Sequence, residues 1–334
     1  MEAQTISLAV QDATQIGAAR RAAVTAAGRL GISEEDAGKV ALVATELATN
    51  LVRHAGGGEL LVRPLTRADE TGLEILALDR GPGMGNVEQA LRDGYSTAGT
   101  NGAGLGAVRR LADRCDVFSA PGAGTAVLAR VLFAAAAAPR ALVAGVSVAK
   151  PGETACGDAW CWTSDADGWT MIVADGLGHG ADASVAAAEV IRVFLEHHGA
   201  APPDIMAAAH AALRHTRGAA VGITRVNLAR RELGFTGIGN VGGAIVAGGA
   251  GRTFVSLSGI VGHECRKIQE FLYPWPEQAV VVLHSDGLQT RWTLDRYPAV
   301  ASRHPALLAA LLYRDFSRGR DDVTVVAGRE EGLA

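Results

Sequence analysis

Apolar residues recur every three or four positions through ISEEDAGKVALVATELATNLVRHA, a spacing that predicts a helix with one buried stripe. Ser33 stands where an N-cap is needed and Asp36 follows three residues on, a pattern close to a capping box. The shorter apolar runs ELLVRPLT, GLEILALDR and GTAVLARVLF read as strands, and Gly102 to Cys115 reads as a glycine-rich turn running into a helix. That order predicts helices packed on one face of a mixed sheet. Further along, WTMIVAD, AAVGITRVNL, ELGFTGIGN, GGAIVAGG, AVVVLHSD and DVTVVAG read as strands around two helical stretches, ASVAAAEVIRVFLEHH and PDIMAAAHAALRH. Both halves therefore fall in the α/β (α+β) class.

A chain of 334 residues, 49% hydrophobic and 20% charged, exceeds what one core usually organises, so two domains are expected. The alanine run ending in Pro139 lies between two strand-like stretches and reads as a connection. This places a first domain at residues 1–135, a linker at 136–140 and a second domain at 141–330. A net charge of -4 offers no broad field for nucleic-acid phosphates or anionic lipid. The longest apolar run, Val131 to Ala138, is too short to span a bilayer, and the N-terminus lacks the features of a secretory signal. A cytoplasmic location without membrane or nucleic-acid partners is the expectation. The four cysteines have no CxxC spacing and are expected as small hydrophobes rather than disulfides or zinc ligands.

In the first half, Glu46 and Asn50 in ELATN are four apart and project from one helix face. In DRGPGMG, Asp79 ends a strand, and Gly81 and Gly83 permit close backbone approach or positive φ. In NGAGLG, the amides around Gly102, Gly104 and Gly106 can wrap phosphates at a helix start. Each element alone is commonplace; neither Walker nor Rossmann spacing is present. In this order they resemble the N, G1 and G2 boxes of the GHKL ATPases, and DGYSTAGTNGAGLGAVRRLAD with NLVRHAGGGEL is similar to the RsbT-like switch serine/threonine kinases. The resemblance implies a Bergerat-type sandwich binding ATP and Mg²⁺. It also implies that Asn50 binds Mg²⁺, that Asp79 accepts from the adenine amino group, that Glu46 is the base or water-orienting residue, and that the three glycines close over the triphosphate. Thr125 in GAGTAV matches a threonine near the phosphates in relatives, and ordinary strand propensity explains it equally well. His54 is expected to be structural.

In the second half there are four acidic points, Asp158 in CGDAW, Asp175 with Gly176 in VADGLGHG, Asp286 in HSDGL, and Asp321 with Asp322 in GRDDVTVV, and three of them stand at the ends of apolar runs, MIVAD and VVVLHSD among them. Carboxylates emerging at strand ends can converge on one rim, and oxygen ligands suit Mg²⁺ or Mn²⁺. Singly, Asp-Gly after a strand is a turn signal. As a set they resemble the type 2C (PPM) phosphatases of the RsbX/SpoIIE-like branch. That resemblance implies an αββα sandwich with two Mg²⁺ or Mn²⁺ ions, bridged by Asp175 with help from the Gly176 carbonyl. Asp158, Asp286 and Asp321 would supply the other carboxylates, with Asp322 the less certain of its pair. His179 suits either a phosphate donor or a local structural role. The chain departs from the eukaryotic pattern in lacking an arginine near the first strand of that domain.

Taken together, the two resemblances imply a bifunctional partner-switching regulator. The expected activities are a serine/threonine kinase of STAS-domain proteins of the stressosome or anti-sigma-factor-antagonist type, and a phosphatase acting on the same pathway. The alternative is an ATP-binding module that sequesters a regulator without phosphorylating it, fused to a phosphatase.

Overall fold

The computed structural model describes residues 4–67, 70–91, 104–135 and 141–331. Contacts divide the chain into an N-terminal unit, Thr5–Ala138 with Asp295–Leu311, and a C-terminal unit, Met1–Gln4 with Pro139–Leu294 and Leu312–Ala334.

The N-terminal unit runs β1 (Ile6–Val10), α1 (Ala13–Gly28), α2 (Glu34–Ala55), β2 (Gly58–Arg67), β3 (Glu70–Leu78), α3 (Val87–Ala90), α4 (Gly104–Leu111), β4 (Arg114–Ala120) and β5 (Gly124–Ala135). Asp12 and Gln15 form a capping box at α1, and the Ser33 hydroxyl accepts from the Asp36 amide at α2. Helix α2 carries Glu34, Glu35 and Asp36 in its first turn and Arg53 and His54 in its last, a match to the helix dipole. It stops at Gly56, whose φ of 74° suits glycine. The stripe Val40, Val43, Ala44, Leu47, Ala48 and Leu51 packs with the alanines of α1 onto Leu60, Val62, Leu73, Ile75, Val127 and Ala129.

The sheet order is β1-β2-β3-β5-β4, and every pairing is antiparallel, which corrects the expected mixed sheet. Helix α4 ends at Leu111 instead of continuing to Cys115, because the Asp113 amide bonds to the Arg130 carbonyl and its carboxylate to the Leu132 amide, starting strand pairing there. Strand alternation puts Arg63, Glu74 and Arg130 in one register row on the face away from the helices. Arg63 bonds to Glu74 at 2.9 Å and Arg130 to Glu74 at 2.7 Å, all three buried. Within the same unit, Tyr297 meets Phe118 edge-on at 5.8 Å, and the Asp116 carboxylate accepts from Arg303 and from the His304 amide.

The C-terminal unit is an αββα sandwich. Its elements are β6 (Ala141–Val148), β7 (Asp158–Ser164), β8 (Gly168–Gly176), α5 (Ala181–Glu196), α6 (Pro202–Ala212), β9 (Ala219–Asn227), β10 (Glu232–Ile238), β11 (Gly242–Ala247), β12 (Ala250–Thr253), β13 (Phe271–Pro274), β14 (Val280–His284), α7 (Pro305–Phe316, which straddles the division) and β15 (Val323–Glu330). Two five-stranded sheets, β13-β10-β9-β8-β7 and β12-β11-β14-β15-β6, enclose a core of Trp160, Trp169, Met171, Phe235, Leu283 and Val326. The outer face of the first sheet packs Ile172, Ala174 and Ile223 against Val190, Ile191 and Phe194 of α5 and Met206 of α6. Strands β1, β4, β7, β12 and β13 and helices α1, α3 and α7 were not evident from the sequence. Helix α7 is buried on all sides, so it shows no polar face to set a period. All four cysteines are free. Among the described residues no helix is long and apolar enough to cross a membrane.

Candidate functional site

In the N-terminal unit the three sequence motifs meet around the end of α2. Glu46 and Asn50 lie one turn apart on that helix, both partly exposed, and the Asn50 side-chain nitrogen is buried without a partner. Helix α4 opens beside it: a β-carbon on Gly104 would lie 4.0 Å from the Asn50 side-chain oxygen. Asp79 follows β3 directly. Its Oδ1 accepts from the Gly81 amide at 2.8 Å and the Thr125 amide at 3.1 Å, and its own amide donates to the Thr125 carbonyl at 3.0 Å. Those bonds fix the carboxylate at the mouth of the β3/β5 pair.

The loop after Asp79 is set by contacts that only glycine permits. A β-carbon on Gly81 would come within 2.8 Å of Ala55 of α2, and one on Gly83, where φ is 70°, within 2.0 Å of the Ala120 carbonyl. Ser119 completes the brace: its hydroxyl accepts from the Met84 amide at 2.8 Å and lies 2.9 Å from the Thr125 hydroxyl. The sequence pointed to Thr125 and not to Ser119, because a serine at the end of β4 carries no signal of its own. Gly104 and Gly106 sit in the first turn of α4, with Gly106 buried; Gly102 lies outside the described residues.

In the C-terminal unit the acids gather where strands of both sheets end. Asp158 opens β7 and stands directly across from Asp175 in β8. Asp286 lies two residues past β14, and Asp321 and Asp322 lie just before β15, its antiparallel neighbour. Close backbone packing holds them. A β-carbon on Gly287 would fall 1.9 Å from the Asp322 carbonyl, and one on Gly176 2.1 Å from the Ala183 carbonyl. Asp322 is buried and accepts from the Lys150 amide at 2.8 Å and the Gly157 amide at 3.0 Å, while the Asp321 Oδ1 accepts from the Asp322 amide at 3.0 Å. Asn240, at the end of the GIGN stretch, donates to Asp286 at 2.5 Å. The Ser285 hydroxyl accepts from the Thr324 amide at 2.9 Å, and the Thr324 hydroxyl reaches Ser147 at 2.8 Å, a buried lattice under the acids. His179 binds Glu153 at 2.7 Å, the local contact expected of it as one of two roles.

Electrostatically the acids act against one another. Burial first, and then the Asp175 charge, pushes the Asp158 carboxyl well above the usual range, although the Ser285 and Thr324 hydroxyls partly offset this. Burial and the charge of Asp286 raise Asp175 to about 7, and burial also raises Asp322 against the pull of its two amides. The Asp158 Oδ2 is buried with no hydrogen-bond partner. Among the described residues no three His, Cys, Asp or Glu side chains form a closed metal cage. Ions that keep several waters, as Mg²⁺ does, need only one or two direct carboxylates each. An orphaned buried carboxylate oxygen among mutually repelling acids fits such ions.

Comparison with known proteins assigns these two regions separately. Residues 9–131 match the histidine kinase-like ATPase domain family, and residues 165–329 match the stage II sporulation protein E (SpoIIE) family. The serine/threonine-protein kinase RsbT of Bacillus subtilis (strain 168) is 36% identical over 114 residues, 34% of this chain and 86% of that protein. The phosphoserine phosphatase RsbX of the same organism is 26% identical over 141 residues, 42% of this chain and 70% of that protein. A solved structure from the bacterial stressosome, described as a modular system adapted to control secondary messenger signaling, superposes with a TM-score of 0.52 at 26% identity. It covers 57% of this chain and 100% of its own.

Proposed function

The chain belongs to the RsbT family through its N-terminal unit and carries a SpoIIE-type, PP2C-like phosphatase domain in its C-terminal unit, and from that premise we propose that it both adds and removes phosphate on serine or threonine within one partner-switching pathway. The observation that carries the removal of phosphate is the acid cluster, and its addition rests on the similarity to RsbT. Asp158, Asp175, Asp286 and Asp321 are brought from both sheets to one rim at an electrostatic cost, which selection for folding alone does not explain.

In the phosphatase half, Asp175 and the Gly176 carbonyl would hold the Mg²⁺ or Mn²⁺ ions. Asp158, Asp286 and Asp321 complete the donor set, and Asp322 braces it through the Lys150 and Gly157 amides. Bound Mg²⁺ or Mn²⁺ supplies charge neutralisation and an activated water for in-line attack at phosphorus. Asn240 orients Asp286, and the Ser285–Thr324–Ser147 lattice keeps Asp158 from relaxing away from Asp175.

In the kinase half, Asp79 receives the adenine amino group, Asn50 holds the Mg²⁺ of ATP, and Glu46 takes the proton of the accepting hydroxyl. Gly81 and Gly83 bring the loop backbone against the nucleotide, Thr125 lies beside it, and Gly102, Gly104 and Gly106 enclose the phosphates. Phosphoryl transfer needs alignment and charge neutralisation more than covalent help, which is what such a set offers. The substrates we infer are STAS-domain proteins, a reading supported by the similarity to a kinase, to a phosphatase and to a structure from the bacterial stressosome.

The test is the intact mass of a STAS-domain protein from the same genome after incubation with ATP, Mg²⁺ and the Asp175→Asn chain. One added phosphate, absent with Asn50→Ala and removed by the unmodified chain with Mn²⁺, is the expected result. Measurable ATP binding with no phosphate added would overturn the kinase half and favour sequestration of a regulator.

A further inference from the structure

A rim of carboxylates is a poor seat for a phosphate monoester, which is itself a dianion at neutral pH. Bound metal ions offset part of that charge, and a side-chain cation beside the rim would offset more and give direction. The loop that runs beside the one leaving Asp175 has one. Arg217 precedes β9, which pairs with β8 up to Gly176, and the Gly218 carbonyl accepts from the Leu177 amide at 3.0 Å.

The geometry points to Arg217 as the residue that receives the substrate's phosphate group at the C-terminal site, an inference that rests on the phosphatase reading above. Three features argue for it. First, the turn that carries Arg217 is rigid: the Thr216 hydroxyl accepts from the Gly218 amide at 3.0 Å, and the Thr216 carbonyl lies 3.1 Å from His263. At Gly218, where φ is 81°, a β-carbon would come within 2.7 Å of the Val261 carbonyl. Second, the guanidinium lies over Gly178 in the loop after Asp175. A β-carbon there would be 3.2 Å from Nη1, and φ is 95°, so glycine at 178 both shapes the loop and leaves room for the cation.

Third, the partner that Arg217 now holds is weak. It pairs with Asp182 in the first turn of α5, but the side chains are 52% and 67% exposed, and an ion pair in that much water contributes little. A phosphate dianion presents two or more oxygens to the planar guanidinium and can replace a single solvated carboxylate. Asp182 then acts as a competitor that the substrate displaces, and the two members of the pair have opposite effects on binding.

The opposite effects make the test. Hydrolysis of para-nitrophenyl phosphate by the full chain with Mn²⁺ gives KM and kcat, and calorimetry with inorganic phosphate gives affinity directly. Arg217→Ala should raise KM and weaken phosphate binding by roughly tenfold, more than it lowers kcat. Arg217→Lys should recover part of the loss, and Asp182→Ala should tighten phosphate. Unchanged phosphate affinity in Arg217→Ala, or both alanine variants weakening it together, overturns the assignment, the latter because the pair would then merely fasten the loop. A chain that binds phosphate but hydrolyses nothing overturns the phosphatase reading instead, while the affinities still decide the role of Arg217.

Discussion

Asp175 sets stability against chemistry. Its carboxyl titrates near 7 in the fold, chiefly through burial and then through Asp286, against an ordinary value near 3.8. A raised carboxyl binds more protons folded than unfolded between those values, so stability is fully present below about pH 4 and falls as pH rises toward 7. Chelator-treated protein should therefore lose denaturation midpoint across that window, and Mn²⁺ should reverse the trend because it binds the ionised form. Asp175→Asn, metal-free at pH 7.5, should be more stable than the unmodified chain by on the order of a few kcal/mol while losing phosphatase activity; urea titration checks this, and equal midpoints would contradict it. The acids themselves were legible in the sequence because they flank apolar runs, Asp175 and Asp286 at the end of one and Asp158, Asp321 and Asp322 at the start. Their supports were not: Lys150 and Gly157 act through backbone amides, and Ser285, Thr324 and Asn240 matter only because the two sheets bring them under the acids.

Helix α2 could be read in advance because cap, stripe and charge gradient all agree along one stretch of chain. The face of the N-terminal sheet turned away from it could not, since Arg63, Glu74 and Arg130 are far apart in sequence and look like surface charges. Burial pushes Glu74 up, yet Arg63 and Arg130 outweigh it and hold the carboxyl below its ordinary value. Glu74→Ala leaves two buried guanidinium groups without their shared partner and should cost about 3–5 kcal/mol by denaturant unfolding; a loss under about 1 kcal/mol would mean the row is solvated like a surface pair. Loops obey a different logic. Gly83→Ala combines a positive φ with a clash against the Ala120 carbonyl, whereas a β-carbon on Gly85 would meet nothing within 4 Å. The first change should therefore weaken ATP binding at least about tenfold, as read by nucleotide titration, and Gly85→Ala should leave it unaltered.

At the scale of the chain, the expected boundary near residue 138 treats sequence order as if it were spatial order. Asp295–Leu311 departs from that: it comes from the second half of the sequence and groups with Thr5–Ala138. No local pattern announces this, because the pairing of Tyr297 with Phe118 and of Arg303 with Asp116 joins residues more than a hundred positions apart. The consequence can be measured through linkage, since a ligand raises the melting temperature of the unit that binds it. An ATP analogue should shift one unfolding transition and Mn²⁺ the other. Tyr297→Ala removes a buried ring and should lower a transition by about 3–5 kcal/mol, the usual range for deleting a buried aromatic side chain. The contacts assign that loss to the nucleotide-responsive transition, although Tyr297 lies only eleven residues after Asp286. If the metal-responsive transition falls instead, the segment takes its stability from the phosphatase unit, and the division of the chain follows its sequence after all.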